Sequence, residues 1–294
     1  MSAVAKQIGT RALGKTGVEV SSFGLGGEGV LRTWAREAEA VELIWRALEL
    51  GVTYFDCAHD YAASEDYHGA VWGQHPRLRE QVFLSSKSAE RTKLGARRDL
   101  EMTLRRMKVS HLDLWELHEV HTEADWEAIS GPGGALEAFV QAHQAGLARF
   151  IGIAGRSGSE ALERAINEFE FHAVLMPVNP IERKLSGFMD RLLPQAVKRG
   201  MGIIGTKLMG GGGLLKAGIP AGALLRFALA QPVSAAIVDC ESIEELEANV
   251  AAAQVEYSES DEGALDVEYD AKEIAAYRGV PPDVEFLEEL VSES

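Results

Sequence analysis

GVTYFDCAHDYAASEDYHGAVWGQHPRLREQVFLSSKSAERTKLGARRDLEMTLRRMKVSHLDLWELH, residues 51–118, holds three short apolar runs separated by segments of helical spacing. The runs Tyr54–Asp56, Val82–Ser86 and Leu112–Leu117 lead to three residues that can do chemistry, Asp56, Lys87 and His118. Both intervals are 31 residues, about the length of one strand with its crossover helix. Strict alternation of strand and helix implies parallel strands. In a parallel sheet, residues one whole unit apart stand at equivalent heights on neighbouring strands, so the three side chains should meet at one rim.

Working outward, the runs Ser22–Leu25, Phe150–Ile153, Ala173–Val178, Met201–Gly205 and Ala235–Val238 bring the count of strands to eight. Helical spacing recurs over Glu37–Leu50, Glu65–Gln74, Leu94–Met107, Ala135–Ala145, Ser159–Phe169, Phe188–Arg199, Ile219–Ala230 and Ile243–Ala253. Gly51, Gly146 and Gly200 stand where helices should stop. Eight βα units predict an α/β fold, a (β/α)8 TIM barrel with its site at the C-terminal rim. A doubly wound open sheet would need a G-x-G-x-x-G turn after the first strand, and FGLGGEG lacks that spacing. Residues Gln7–Val20, turning at Lys15–Gly17, predict a β-hairpin plugging the bottom of the barrel. The reading is one domain over residues 1–255 and an acidic C-terminal extension over 256–294.

The 294 residues carry a net charge of -16, which disfavours nucleic acid and anionic membranes as partners. Two cysteines, Cys57 and Cys240, are too few for a disulfide-stapled secreted domain. They are assigned to the second and eighth strands, which are not adjacent, so both are expected as free thiols. No signal peptide or apolar run of about 18 residues occurs, so the expected location is the cytoplasm. The other histidines lack paired ligand spacing, and no metal site is expected. Nothing in the sequence reports oligomeric state.

Tyr61 lies five residues past Asp56 and can fold over the same rim. A nearby ammonium favours the phenolate, so Lys87 is expected to bring the Tyr61 phenol down toward a useful range. Asp56 should keep Lys87 charged, and His118 can donate to a carbonyl oxygen held against Tyr61. Taken singly, each has a plainer reading: a helix cap, a solvated lysine, a core histidine or a loop tyrosine. Lys207 and Gly210–Gly213 suit a pyrophosphate, because glycine leaves backbone N–H groups open.

In order and spacing, LGKTGVEVSSFGLGGEG, GVTYFDCAHDYAASEDYHG, VFLSSK, LDLWELH, LARFIGIAG, GMGIIGTKLMGGGGLL and LLRFALAQPVSAAIVDCESIEELEANV resemble the aldo-keto reductases over about Leu13–Ala253. The resemblance implies a tetrad of Asp56, Tyr61, Lys87 and His118, NAD(P)H as cofactor, and an aldehyde or ketone reduced to an alcohol. It also directs the cofactor to Gly26, Ala154, Gly155, Lys207, Gly210, Glu241, Glu245 and Asn249. Ala154-Gly155 replaces the family's Ser-Asn pair at the nicotinamide carboxamide. Glu241 and Glu245 stand where basic residues would meet a 2′-phosphate, which implies a preference for NADH. The alternative is a barrel that has lost reductase activity and serves as a nucleotide-sensing or partner-binding module.

Overall fold

In the computed structural model, which describes residues 8–185 and 187–266, the chain closes into an eight-stranded parallel barrel. Strands β1 (Thr10–Ala12) and β2 (Glu19–Ser21) form an antiparallel hairpin. The barrel strands are β3 (Phe23–Leu25), β4 (Tyr54–Phe55), β5 (Phe83–Ser88), β6 (Leu112–Leu117), β7 (Ala148–Ala154), β8 (Ala173–Pro177), β9 (Gly202–Thr206) and β10 (Ala235–Val238). β10 pairs with β3 to close the ring, so β4 and β10 are separated by β3. Cys57 and Cys240, beyond those two strands, are both buried and free.

Around the strands lie α1 (Glu37–Glu49), α2 (Ser64–Trp72), α3 (Pro76–Arg79), α4 (Lys93–Met107), α5 (Glu123–Ser130), α6 (Ala135–Gln144), α7 (Ser159–Glu168), α8 (Pro180–Lys184), α9 (Leu193–Arg199), α10 (Gly213–Lys216), α11 (Ala221–Ala230), α12 (Ile243–Ala253) and α13 (Glu259–Leu265). The segment expected as one helix over Phe188–Arg199 begins with a wide turn, Phe188–Leu192, before α9. Pro194 at the start of α9 has no N–H to continue the ordinary ladder. The connection between β6 and α6, over His121–Gly134, contains α5, opened by a capping box between Thr122 and Asp125.

Strand alternation sorts side chains into two populations. In β5, Leu84 packs outward in the apolar shell under the helices, and Ser86 reaches Glu65 of α2. Phe83, Ser85 and Lys87 point into the barrel, where Phe83 joins Tyr54, Leu114, Leu175 and Ile237 in a separate interior cluster. Tyr54 pairs with Phe83 in register, and their rings stack at 5.2 Å. The interior is therefore apolar toward the strand starts and charged toward the strand ends. Leu13 and Val20 of the hairpin region belong to the interior cluster, and Lys15 N–H donates to Gly200 O at 2.8 Å, so the hairpin plugs the bottom.

After α12 the chain folds back as α13, where Arg226 of α11 pairs with Asp261 and Leu265 is buried beside Phe227. The acidic tail beyond residue 266 lies outside the described residues. Among the described residues, no helix is long and apolar enough to cross a membrane.

Helix α2 meets α4 through Gly69, where a Cβ would fall 1.9 Å from Arg106 O. Gly69→Ala is expected to destabilise the protein by about 1–3 kcal/mol, although alanine is the better helix former. Gly263→Ala, with no atom of the described residues within 4 Å of the added Cβ, should be neutral or stabilise by up to about 1 kcal/mol. Thermal unfolding of the two variants checks the contrast.

Candidate active site

The strand ends bring Asp56, Lys87 and His118 together, as their spacing predicts. Lys87 is 1% exposed, and its Nζ donates to Asp56 Oδ2 at 2.5 Å and to Cys57 O at 2.7 Å. Ser85 Oγ donates to the other Asp56 oxygen at 2.8 Å. Burial pulls the Lys87 ammonium down, but attraction to Asp56 and Glu116 outweighs it and leaves the pKa raised. Burial likewise raises Asp56, against the pull of Lys87. For the tightly joined pair, the direction that matters is the lysine's, which stays charged.

The loop from β4 to α2 carries Tyr61 over this pair. It is held from outside by Arg106 of α4, which donates to His59 O and Ala62 O and pairs with Glu65 and Asp66. Glu65, fully buried, also accepts from Ser86 and Thr103. Beneath the loop lies Gly27, where a Cβ would sit 2.7 Å from Asp56 O and 3.1 Å from the Tyr61 ring. The Tyr61 ring centre is 5.6 Å from Lys87 Nζ and 5.8 Å from the His118 ring, and Arg32 stacks over it at 4.7 Å.

The expectation that Lys87 lowers the Tyr61 phenol is corrected by this geometry. Burial first, then Glu28, Asp56 and Asp239, push the phenol well above its usual range. Lys87, engaged by Asp56 and Cys57 O, still faces the ring at 5.6 Å, but its pull on the phenol is outweighed by burial and these carboxylates. Tyr61 is thus a firmly protonated donor. His118 is driven the other way: burial and then Lys87 press its pKa down to about 2. Its imidazole is neutral and keeps one N–H to give.

Tyr61, Asp56, Lys87, His118, Ala154, Gly155 and Lys207 line a single cleft at the rim. The remaining residues expected at a cofactor lie elsewhere. At Gly26 the space a side chain would fill is taken by Asp239, whose oxygen is 2.1 Å from the ideal Cβ. Glu241 borders a separate hollow with Glu39 and Glu42. Glu245 accepts from Glu241 N–H at 2.8 Å, and the Asn249 amide reaches Cys240 Sγ at 3.7 Å. The glycine run also departs from expectation. Gly210, Gly212 and Gly213 donate their N–H groups within their own turn, so the run offers clearance more than donors. Lys207, in a left-handed conformation with φ 52°, pairs with Glu28 at 3.3 Å.

Sequence reasoning missed Glu28, Arg32, Glu116 and Asp239. Glu28, Arg32 and Arg156 line the cleft. Asp239 follows β10 as Asp56 follows β4, and burial, then Glu28, raise it to about 6. Glu116 stands two residues before His118, on the same strand face by alternation. That was its available signal. Trp72, Trp115 and Trp126 are buried in packing, and Trp34 is 70% exposed. Among the described residues no cluster could hold a metal ion.

The sequence pattern described as the aldo/keto reductase family matches residues 22–223. The 6-dehydroglucose reductase of Novosphingobium aromaticivorans is 25% identical over 222 residues, 69% of this chain and 70% of that protein. The L-galactose dehydrogenase of Arabidopsis thaliana is 26% identical over 258 residues, 80% of this chain and 76% of that one. Among solved structures, a thermostable aldo-keto reductase in complex with the inhibitor epalrestat superposes with a TM-score of 0.71 at 26% identity, covering 87% of this chain and 98% of its own.

Because Asp56 and Lys87 neutralise each other inside the barrel, removing one partner should cost more than removing both. Lys87→Met is expected to destabilise by about 3–5 kcal/mol, and Asp56→Asn with Lys87→Met to recover most of that. Denaturant unfolding of the single and double variants measures the coupling.

Proposed function

The chain belongs to the aldo/keto reductase family and is an oxidoreductase, and from that premise we propose that it reduces a polar aldehyde or ketone at Tyr61, His118, Lys87 and Asp56, with NADH preferred to NADPH. The observation that carries the reading is the meeting of a protonated phenol and a neutral imidazole at one wall of the cleft, above a buried ion pair. Two neutral donors can hold one carbonyl oxygen between them. Tyr61 supplies the proton as negative charge develops there, and His118 stabilises it by hydrogen bonding. Lys87 faces the Tyr61 ring, so its field opposes the charge left on the phenolate. Asp56 keeps that lysine charged and in place.

The nicotinamide cofactor supplies hydride to the carbonyl carbon when bound. The residues fit it in part. Lys207 would pair with the pyrophosphate and the turn Gly210–Gly213 would leave room for it, since among the described residues no atom lies within 4 Å of a Cβ added at Gly211, Gly212 or Gly213. The edge of α12, from Glu241 to Asn249, would take the adenosine. Support for NADH lies in the charges there. Arg36 feels the charge of Glu241, yet is bonded to Glu39.

The polar substrate follows from the rest of the cleft, which presents Arg32, Asp60, Glu119, His121 and Arg156 and few apolar side chains. Those groups suit several hydroxyls. The likeness to a dehydroglucose reductase and a galactose dehydrogenase points the same way, and a panel of sugar-derived aldehydes and ketones is the first to test.

Tyr61→Phe should lower kcat for reduction by about 10²–10⁴-fold with cofactor affinity unchanged; retention of more than a third of the rate rules Tyr61 out as the acid. In a fluorescence titration, NADH is expected to bind about fivefold more tightly than NADPH at low salt, from repulsion of roughly 1 kcal/mol by a screened carboxylate. Glu241→Lys should reverse the order. Equal or tighter NADPH binding by the wild type defeats the preference, and binding of neither nucleotide favours the non-enzymatic module.

A further inference from the structure

One carboxyl at the centre of the barrel has no part in the reading above. Glu116 of β6 is in register with Lys87 of β5 and is fully buried. Its Oε2 lies 3.9 Å from Lys87 Nζ, beyond hydrogen-bond reach, and among the described residues neither of its oxygens has a hydrogen-bond partner. The adjacent strand gives it room: at Gly152 of β7, the register partner of Glu116, a Cβ would stand 3.1 Å from Glu116 Cγ. The titratable groups that interact with it are Lys87 from β5 and Asp56 and Tyr54 from the β4 side, and His118 follows two residues on, just past the end of β6. Gly152 brings no side chain from β7.

A buried carboxylate without hydrogen-bond donors is costly, and such a group holds its proton instead. Burial raises Glu116 to about 8, with Lys87 opposing the rise and Asp56 adding to it. The trio Asp56, Lys87 and Glu116 then has two charge states. With Glu116 protonated it is neutral overall. With Glu116 ionised, two carboxylates face one ammonium.

We propose that Glu116 is a positioning residue that acts through Lys87, its protonation setting how much positive field the lysine presents to Tyr61. The inference rests on the reading of Tyr61 as the proton donor. As pH rises through the Glu116 transition, the new carboxylate offsets Lys87, the Tyr61 phenol becomes a weaker acid, and carbonyl reduction slows. No atom of Glu116 needs to touch substrate.

The test is the pH profile of kcat/KM for reduction, compared between wild type and Glu116→Gln, with the ultraviolet tyrosinate difference spectrum against Tyr61→Phe as a readout free of turnover. In the wild type kcat/KM should fall about threefold to tenfold across the Glu116 transition. In Glu116→Gln that step should vanish, and Tyr61 should ionise about one pH unit lower. Glu116→Asp, which keeps the carboxyl, should keep the step. Should Glu116→Gln fold poorly, Glu116→Met serves in its place. Identical profiles and identical Tyr61 ionisation in wild type and variant overturn the proposal. A wild type without turnover counts against the reductase reading alone, because the tyrosinate spectrum still decides whether Glu116 acts on Tyr61.

Discussion

A single ammonium group inside a protein barrel is the constraint around which this site is organised. Lys87 is almost wholly removed from water, and an ion in that position is costly unless its partners are placed to meet it. Asp56 and the carbonyl of Cys57 meet it, both from the end of the neighbouring strand. Ser85, one turn of the strand pleat below Lys87, fixes the second Asp56 oxygen. Because these groups sit on adjacent parallel strands, their separation is set by the spacing of the sheet, and loop motion has no hold on it. Function at the rim thus inherits its rigidity from the barrel.

The charges above the pair are distributed with a bias. Glu28, Asp56 and Asp239 all raise the Tyr61 phenol, whereas Lys207 and Arg32 are both drawn to Glu28. The cleft is therefore lined by ion pairs that a ligand must join or displace. Covering such a wall with an apolar group would leave its polar groups without partners. The same wall separates the phenol from the imidazole in character, holding one protonated and the other neutral.

The outer shell has its own part in this. Tyr61 has no strand beneath it, and its place depends on Arg106 gripping the loop carbonyls while the buried Glu65 anchors Arg106, Ser86 and Thr103. Gly27 and Gly69 allow the close approaches on which that arrangement depends. A residue of α4 outside the cleft thereby holds the loop that carries Tyr61.

How much of this was legible in the sequence follows from what is periodic and what is not. The eight strands, the hairpin plug and the convergence of Asp56, Lys87 and His118 rest on alternation and on an interval of 31 residues, and periodicity survives without coordinates. The split of the Phe188–Arg199 segment and the helix within His121–Gly134 did not, because short loop elements depend on local caps. Nor did the direction of the Tyr61 phenol, which depends on carboxylates from three strand ends separated by up to 211 residues along the chain, as Glu28 and Asp239 are. Glu116 was half visible: its strand and face follow from His118, but its lack of a hydrogen-bond partner among the described residues is a property of the closed barrel. Sequence by itself determined which residues share a rim, since a pleat repeats every two residues and a βα unit at a near-constant length. Only the tertiary structure decided their charge states, because burial and the distances between carboxylates exist only once the barrel has closed.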